Sequence, residues 1–233
     1  MQSGEGVEIL YLDYMSQPSR AVLSVIELYS LQDKIKVQEV KIMEMAHRDA
    51  SFSKINPNMK LPCYVDGELI LFESSAIMRY ICNKHLPGDN VVYPHGDRMK
   101  TARIEQDIIT YHLYARPAAR LIYGTFIAPM VGLEKLFDLP RESERAIKIC
   151  TKLDDFFSKR KGEPIQPTIA VLLIFNDIMQ LHSAGGWSLS THSLPSIKAI
   201  LSTILKHPSL QSTNAHLIKM IQESGGNIDY LLH

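Results

Sequence analysis

A chain of 233 residues that is 45% apolar and 21% charged can bury one generous core or two smaller ones, and its composition excludes disorder. Lysine plus arginine and aspartate plus glutamate number 25 each, so no net charge draws the chain to nucleic acid or to an anionic membrane surface. The three cysteines, Cys63, Cys82 and Cys150, give neither a paired disulfide framework nor the spacing of a zinc ribbon, which points to a reducing, cytoplasmic compartment and to no metal.

Residues 1–6 lack the basic and apolar regions of a signal peptide, and apolar runs such as Ile169 to Phe175 are too short to span a bilayer, so no membrane is expected. The elements then alternate: a strand over Val7–Leu12, a helix over Pro18–Leu31, a strand over Ile35–Val40, a polar stretch, strands over Cys63–Val65 and Leu69–Phe72, and a helix over Ser74–His85. Asp66-Gly67 marks a hairpin between the last two strands. This βαβ then ββα order predicts a parallel right-handed crossover followed by an antiparallel hairpin, a small mixed sheet.

Leu86-Pro87-Gly88-Asp89-Asn90 breaks the pattern. The expected division is a first domain over 1–86, a linker over 87–96 and a second domain over 97–233. Past Tyr93-Pro94 only helical periodicity remains: Asp97 to about Phe126, Arg141 to Arg160, Thr168 to about Ala184, Pro195 to Leu205, and Leu210 to Glu223. Gly185-Gly186 and Gly225-Gly226 are expected to end helices, since glycine accepts the left-handed conformation there.

Three motifs lie where a loop meets an element, the places where open α/β sheets put ligands. In Leu12-Asp13-Tyr14-Met15-Ser16-Gln17-Pro18 a strand passes into a helix, with Pro18 suited to the first helical position, so Ser16 stands just ahead of a helix N-terminus that favours an anion. In Asn56-Pro57-Asn58-Met59-Lys60-Leu61-Pro62, Pro62 cannot donate to a sheet ladder and belongs at the start of the following strand. A cis bond there would leave the Leu61 N–H and C=O to pair with an extended ligand, as an added strand does. In Glu73-Ser74-Ser75, Ser74 is the expected N-cap of the next helix and a candidate carboxylate ligand, with Lys60 and His47 as partners for a second carboxylate. Each of these residues also has an ordinary structural use, as a cap or a solvated charge.

Together these residues resemble the cytosolic glutathione S-transferases, and the serine with its neighbours is similar to the theta class. Tyr93-Pro94, Ala102-Arg103-Ile104 and Thr168-Ile169-Ala170 extend the likeness, more weakly, into the helical half. The resemblance implies a thioredoxin-like N-terminal domain with a mixed four-stranded sheet and an all-helical C-terminal domain. It implies that Ser16 donates a hydrogen bond to the glutathione sulfur, that Leu61 beside cis-Pro62 pairs with the cysteinyl main chain, that Glu73 and Ser74 hold the γ-glutamyl end, and that His47 and Lys60 face the glycyl carboxylate. Arg116 is similar to a theta-class arginine near the sulfur, and Tyr14, Met15, Tyr111, His112 and Trp187 are candidate walls of the electrophile pocket. Glutathione is then a co-substrate, no bound cofactor is needed, and the partners are a small hydrophobic electrophile and a second copy of the chain. Two departures stand out: Val171 replaces the acidic residue of the usual capping box after Thr168, and in the first long helix only Glu105 and Asp107 lie near the place of a carboxylate that some relatives lend across a dimer.

A free thiol with a pKa near 8.5 is only about 3% thiolate at neutral pH, so the site must steady the anion. A hydroxyl donating to a charged acceptor contributes roughly 1.5 to 3 kcal/mol and a helix N-terminus ~0.3 to 1 kcal/mol, enough without a metal or general base. The expected chemistry is thiolate attack on a small electrophile, with reduction of organic hydroperoxides beside it. The rivals are Tyr14 as the donor, Cys63 as a redox thiol, and a non-catalytic module that keeps the fold for protein association or ligand storage.

Overall fold

A computed structural model of the chain describes residues 7–118, 121, 124, 138–160, 162–183, 188–223 and 225–232. They fall into two compact units, Met1–Thr101 and Ala102–His233.

The first unit is built on a four-stranded sheet of order β2-β1-β3-β4, with β1 Glu8–Leu12, β2 Ile35–Glu39, β3 Cys63–Asp66 and β4 Leu69–Leu71. The crossover helix α1, Gln17–Leu28, makes β1 and β2 parallel, with Leu10 opposite Val37 and Leu12 opposite Glu39. β3 runs antiparallel to β1, with Tyr11 opposite Cys63, and to β4, with Tyr64 opposite Leu71. The hairpin turn is Gly67-Glu68, one residue beyond the expected Asp66-Gly67, and Gly67 has the positive φ of 59° that the turn needs.

Strand alternation sorts the core. Tyr11 and Cys63 pack with Val40 and Phe52, joined by Ile9, Leu61 and Val65, on the face covered by a short helix, α2 Ala50–Ile55. Tyr64 lies on the other face, its ring 5.8 Å from that of Tyr80 on α3 Ser74–His85, and α3 packs on α1. The α2 helix and the 3₁₀ turn Ala46–Arg48 occupy the stretch read from sequence as merely polar, because six residues are too few to show a periodicity. At the far end of this sheet Glu8 accepts from the Tyr64 hydroxyl and lies 2.8 Å from both Lys84 Nζ and His85 Nε2. Burial works to raise the Glu8 carboxyl, but hydrogen bonds from Lys84, Tyr64 and His85 outweigh it and hold the group below the usual carboxylate value.

Residues 87–96, read as a linker, lie within the first unit and are tied by their own hydrogen bonds. Asn90 Nδ2 donates to Pro87 O and Tyr93 O, Asn90 Oδ1 accepts from Tyr93 N, and Gly96 N donates to Gly88 O. The unit boundary falls inside α4, Arg98–Thr110.

The expected single helix from Asp97 to about Phe126 is not continuous. It passes at Tyr111–Ala115 into a π-helical turn, with Arg116 N–H reaching back to Tyr111 O, and then into a 3₁₀ turn, Arg116–Ala118; its expected end lies outside the described residues. Pro117 cannot donate the hydrogen bond that an α-helix asks of it, which fits the break. Among the described residues four α-helices follow, α5 Leu139–Ser158, α6 Ile169–Leu181, α7 Pro195–Leu205 and α8 Gln211–Glu223, then a single turn, α9 Asp229–Leu232, that the sequence did not show. α6 is buried all round, the central helix of this unit, and Thr168 Oγ1 caps it by accepting from Val171 N, doing alone what the incomplete capping box leaves to it. α7 begins with no side-chain cap of its own; Asp154 of α5 serves instead, accepting from Ile197 N at 2.9 Å. Gly225 has φ 76°, the left-handed conformation expected of a helix end, while Gly185-Gly186 lies outside the described residues.

Candidate active site at the end of the first sheet

The exits of β1, β2 and β4 and the entry of β3 share one end of the sheet, as the pairs Leu12 with Glu39, Tyr11 with Cys63 and Tyr64 with Leu71 require. Every residue expected to hold glutathione lies in a segment leading from that end: Ser16 after β1, His47 after β2, Lys60, Leu61 and Pro62 before β3, and Glu73 and Ser74 after β4.

Ser16 is the N-cap of α1, with Gln17 and Pro18 as the first two helical residues, so Pro18 sits one position later than its preference for the first suggests. Ser16 Oγ accepts from Ser19 N at 3.4 Å, a long cap, and the side chain is buried with 7% of its surface exposed. Capping engages a lone pair of the oxygen and leaves the hydroxyl hydrogen for another acceptor. Tyr14 and Met15, in the turn before it, are half-buried. Burial, then the charges of Glu39 and Glu27, push the Tyr14 phenol up.

The Leu61–Pro62 bond is cis. Leu61 packs its side chain into the Tyr11 cluster, and among the described residues its N–H donates and its C=O accepts no hydrogen bond. The preceding loop is folded around Asn56, buried to 1% exposure, whose Nδ2 donates to Lys60 O at 2.7 Å and whose Oδ1 accepts from Asn58 N. Lys60 is exposed. Asn56 followed by Pro57 is itself a sequence signal of an Asx turn.

Ser74 is not the N-cap of α3: Glu73 holds that position at φ 64° without a side-chain cap, and Ser74 is the first helical residue. A positive φ on a non-glycine residue is costly, by an amount of order 1 kcal/mol or more, and such residues cluster at ligand clamps. Ser74 and Ser75 are both buried at this helix start. His47 stands in the 3₁₀ turn Ala46–Arg48, and its Nδ1 is buried with no partner among the described residues. Burial lowers the imidazole below its ordinary value, aided by the charge of Arg48 and opposed by that of Asp13.

Cys63 is fully buried, and burial pushes its thiol up to about 11. At neutral pH such a thiol is almost wholly protonated, the wrong form for thiol exchange.

In the second unit Arg116 Nη1 lies 3.0 Å from Asp177 Oδ1, and Tyr111 donates its hydroxyl to Asp177 Oδ2 at 2.8 Å. Tyr111 is 1% exposed, a core residue of that unit, whereas His112 is exposed with its ring against the Tyr111 edge. Asp107 is bound by Arg160. Trp187 lies outside the described residues. No group of three or more possible metal ligands occurs among the described residues, and no described helix is long and apolar enough to cross a membrane.

The pattern of the family described as "Glutathione S-transferase, N-terminal domain" matches residues 11–83, the span that holds every residue expected from the sequence to hold glutathione. Glutathione S-transferase theta-2 of Mus musculus is 30% identical over 189 residues, covering 76% of this chain and 72% of the mouse protein. The chain belongs to the glutathione S-transferase family. Glutathione S-transferase T2 of Arabidopsis thaliana is 33% identical over 179 residues, 74% of this chain, but those residues are only 30% of the plant protein. A human theta-class glutathione transferase, solved in complex with the glutathione conjugate of 1-menaphthyl sulfate, shares the fold with a TM-score of 0.78 over 94% of this chain and 91% of its own, at 23% identity. The thioredoxin-like sheet with a helical second half is therefore the glutathione S-transferase arrangement, and theta-class proteins are among those it is similar to.

Proposed function

We propose that this chain is a glutathione transferase in which Ser16 donates a hydrogen bond to the glutathione thiolate, which then attacks a small hydrophobic electrophile, with organic hydroperoxides as a second class of substrate. The observation that carries the reading is the convergence of Ser16, His47, Leu61 and Ser74 on one end of the sheet. The tripeptide needs a donor for its sulfur, a strand-like edge for its cysteinyl amide and anchors for two carboxylates. Ser16 at the α1 N-terminus supplies the first, the unpaired Leu61 N–H and C=O the second, and the α3 N-terminus with Ser74, together with the orphaned His47 nitrogen and the Lys60 cation, the third. Glu73, exposed at the same helix start, faces the ammonium end in this reading.

Two rivals lose ground. Tyr14 carries a phenol made less acidic by burial and by the nearby charges of Glu39 and Glu27, which weakens it as a donor to an anion. Cys63 is buried and protonated. The second unit supplies the electrophile pocket, with Arg116 and His112 as its polar members in this reading, and no cofactor is required.

A second copy of the chain is the proposed partner, supported by the exposed apolar stripe of Ala102, Ile109 and Leu113 along α4 and the turn that follows it. Sedimentation of the purified protein reads the dimer directly, and a charge at Ile109 should dissolve it.

The test of the chemistry is Ser16→Ala assayed against a panel of alkyl halides, epoxides and cumene hydroperoxide. Loss of a hydroxyl donated to an anion, about 1.5 to 3 kcal/mol, lowers turnover by roughly ten- to a hundredfold while retention on immobilised glutathione persists. Unchanged turnover rejects the serine, and failure of the unaltered protein both to bind the resin and to turn over any of the panel leaves the non-catalytic module.

A further inference from the structure

We propose that Asp13 is the positioning residue of this site: its buried carboxylate fixes the Ser16 turn and ties it to the segment carrying His47, so that one side chain sets the donor for the sulfur. The inference rests on the reading of Ser16 above.

Only four residues, 13 to 16, separate the end of β1 from the start of α1. Asp13 is 4% exposed, and each of its three oxygens accepts a hydrogen bond from a backbone N–H, two within this turn and one beyond it. Its backbone O accepts from Ser16 N at 3.0 Å, Oδ1 accepts from Met15 N at 2.6 Å, and Oδ2 accepts from Ile42 N at 2.5 Å, 29 residues downstream. Arg20, 1% exposed on α1, donates from Nη1 to Tyr14 O at 2.6 Å. The Tyr14 carbonyl and the Met15 N–H belong to one peptide unit, so that plane is held at its oxygen by a cation and at its nitrogen by an anion. Ser16 follows directly, with its own N–H held by Asp13. Its position is thus determined by two buried charges and not by the long 3.4 Å cap alone.

Ile42 opens the turn that leads to His47: Met45 N donates to Ile42 O and Ala46 N to Lys41 O. The Asp13 bond to Ile42 therefore joins the loop after β1 to the loop after β2 at the end of the sheet where both emerge. The carboxylate also acts on the His47 ring, where its charge opposes the lowering by burial and by Arg48. A purely structural turn would need one acceptor at Met15; the second bond spends a buried charge on linking two ligand-bearing loops.

Asp13→Asn keeps the shape but turns an NH₂ toward one of two N–H groups that need an acceptor. The readout is the ultraviolet absorbance of thiolate in protein-bound glutathione, titrated in the unaltered chain, in Ser16→Ala, in Asp13→Asn and in the double variant. The expected result is a bound thiol that titrates higher in Asp13→Asn, a fall of about ten- to a hundredfold in kcat/KM, as a misplacement near 1 Å produces, and a double variant no worse than Ser16→Ala. Asp13→Glu, which keeps the charge and moves it by one methylene, should shift the thiol in the same direction and stands in if the asparagine variant does not fold. A lowered melting temperature with the thiol titration and kcat unchanged overturns the proposal and leaves Asp13 a structural residue. If Ser16→Ala itself leaves the thiol unmoved, the reading of Ser16 falls and takes this inference with it.

Discussion

Arg116 and Asp177, 61 residues apart, form an ion pair in which Nη1 lies 3.0 Å from Oδ1, and the Asp177 carboxylate is otherwise closed in by the Tyr111 hydroxyl. The pair is unequal: the Asp177 side chain is 2% exposed, that of Arg116 40%. The Asp177 charge pushes the guanidinium above its ordinary value, so Arg116 is permanently cationic with its inner side committed. Arg116→Ala should cost about 2 kcal/mol in urea unfolding, less than the ~3 to 5 kcal/mol of a fully buried pair because water reaches the arginine. Replacing both, Arg116→Met with Asp177→Leu, should recover most of that stability. If turnover stays low in the stable double variant, the arginine serves the electrophile as well as the fold; if turnover returns, its use is structural.

That pair also marks the boundary of what the sequence made legible. The βαβ and ββα order and the Ser74–His85 and Pro195–Leu205 helices were readable because strand alternation, helical spacing and prolines are local signals, whereas the cis bond at Leu61–Pro62 was implied only by the family resemblance. Asp13 to Ile42, Asp154 to Ile197 and Asp107 to Arg160 were not, since each joins residues 29 to 53 positions apart with no pattern between them. The Tyr111 to Ala115 turn escaped for another reason: π and α windings share nearly the same apolar spacing over one turn. The N-cap of α3 moved from Ser74 to Glu73 because Glu73 adopts a positive φ that its residue type does not advertise.

Cysteine chemistry offers a clean negative. Burial raises Cys63 to about 11, and Cys82 and Cys150 each to about 12, so in the folded protein a thiol reagent at pH 8 should modify none of the three at a rate comparable to free cysteine. Denaturation in urea should release all three. A mixed disulfide between Cys63 and glutathione, detected by mass spectrometry of the native protein, would instead bring back the thiol-exchange reading.

Stability should fall with acid in two separable windows. His182 is fully buried; since Met179 O can only accept, Nδ1 carries the proton, and Nε2 accepts from the Tyr230 hydroxyl at 2.7 Å. Burial lowers the imidazole from 6.5 to about 4, so between these values the unfolded chain binds a proton that the native protein refuses. Stability present above pH 6.5 is therefore lost as pH falls toward 4, by up to roughly 3 kcal/mol. Glu8 acts lower: its folded value lies below 4.5, so its contribution is complete above that pH and is lost only as pH drops through the folded value. Urea midpoints measured against pH should lose their slope between 6.5 and 4 in His182→Gln, and below 4.5 in Glu8→Gln.

Gly225 and Gly226 read alike in the sequence but should answer differently to a methyl group. Gly225 has φ 76°, and a Cβ there would meet nothing within 4 Å, so Gly225→Ala costs only the left-handed conformation, about 1 kcal/mol. Gly226 is a packing site: a Cβ would collide with His182 O and lie 2.6 Å from Ile221 Cγ2. The carbonyl cannot swing aside without disturbing the end of α6, where His182 also holds Tyr230, and Gly226 N is itself bound to Ile221 O. Gly226→Ala should therefore cost about 3 kcal/mol or more and loosen the C-terminal turn from α6. Thermal melts of the two variants side by side decide it: an equal, small loss in both would show that residue 226 is not wedged against His182.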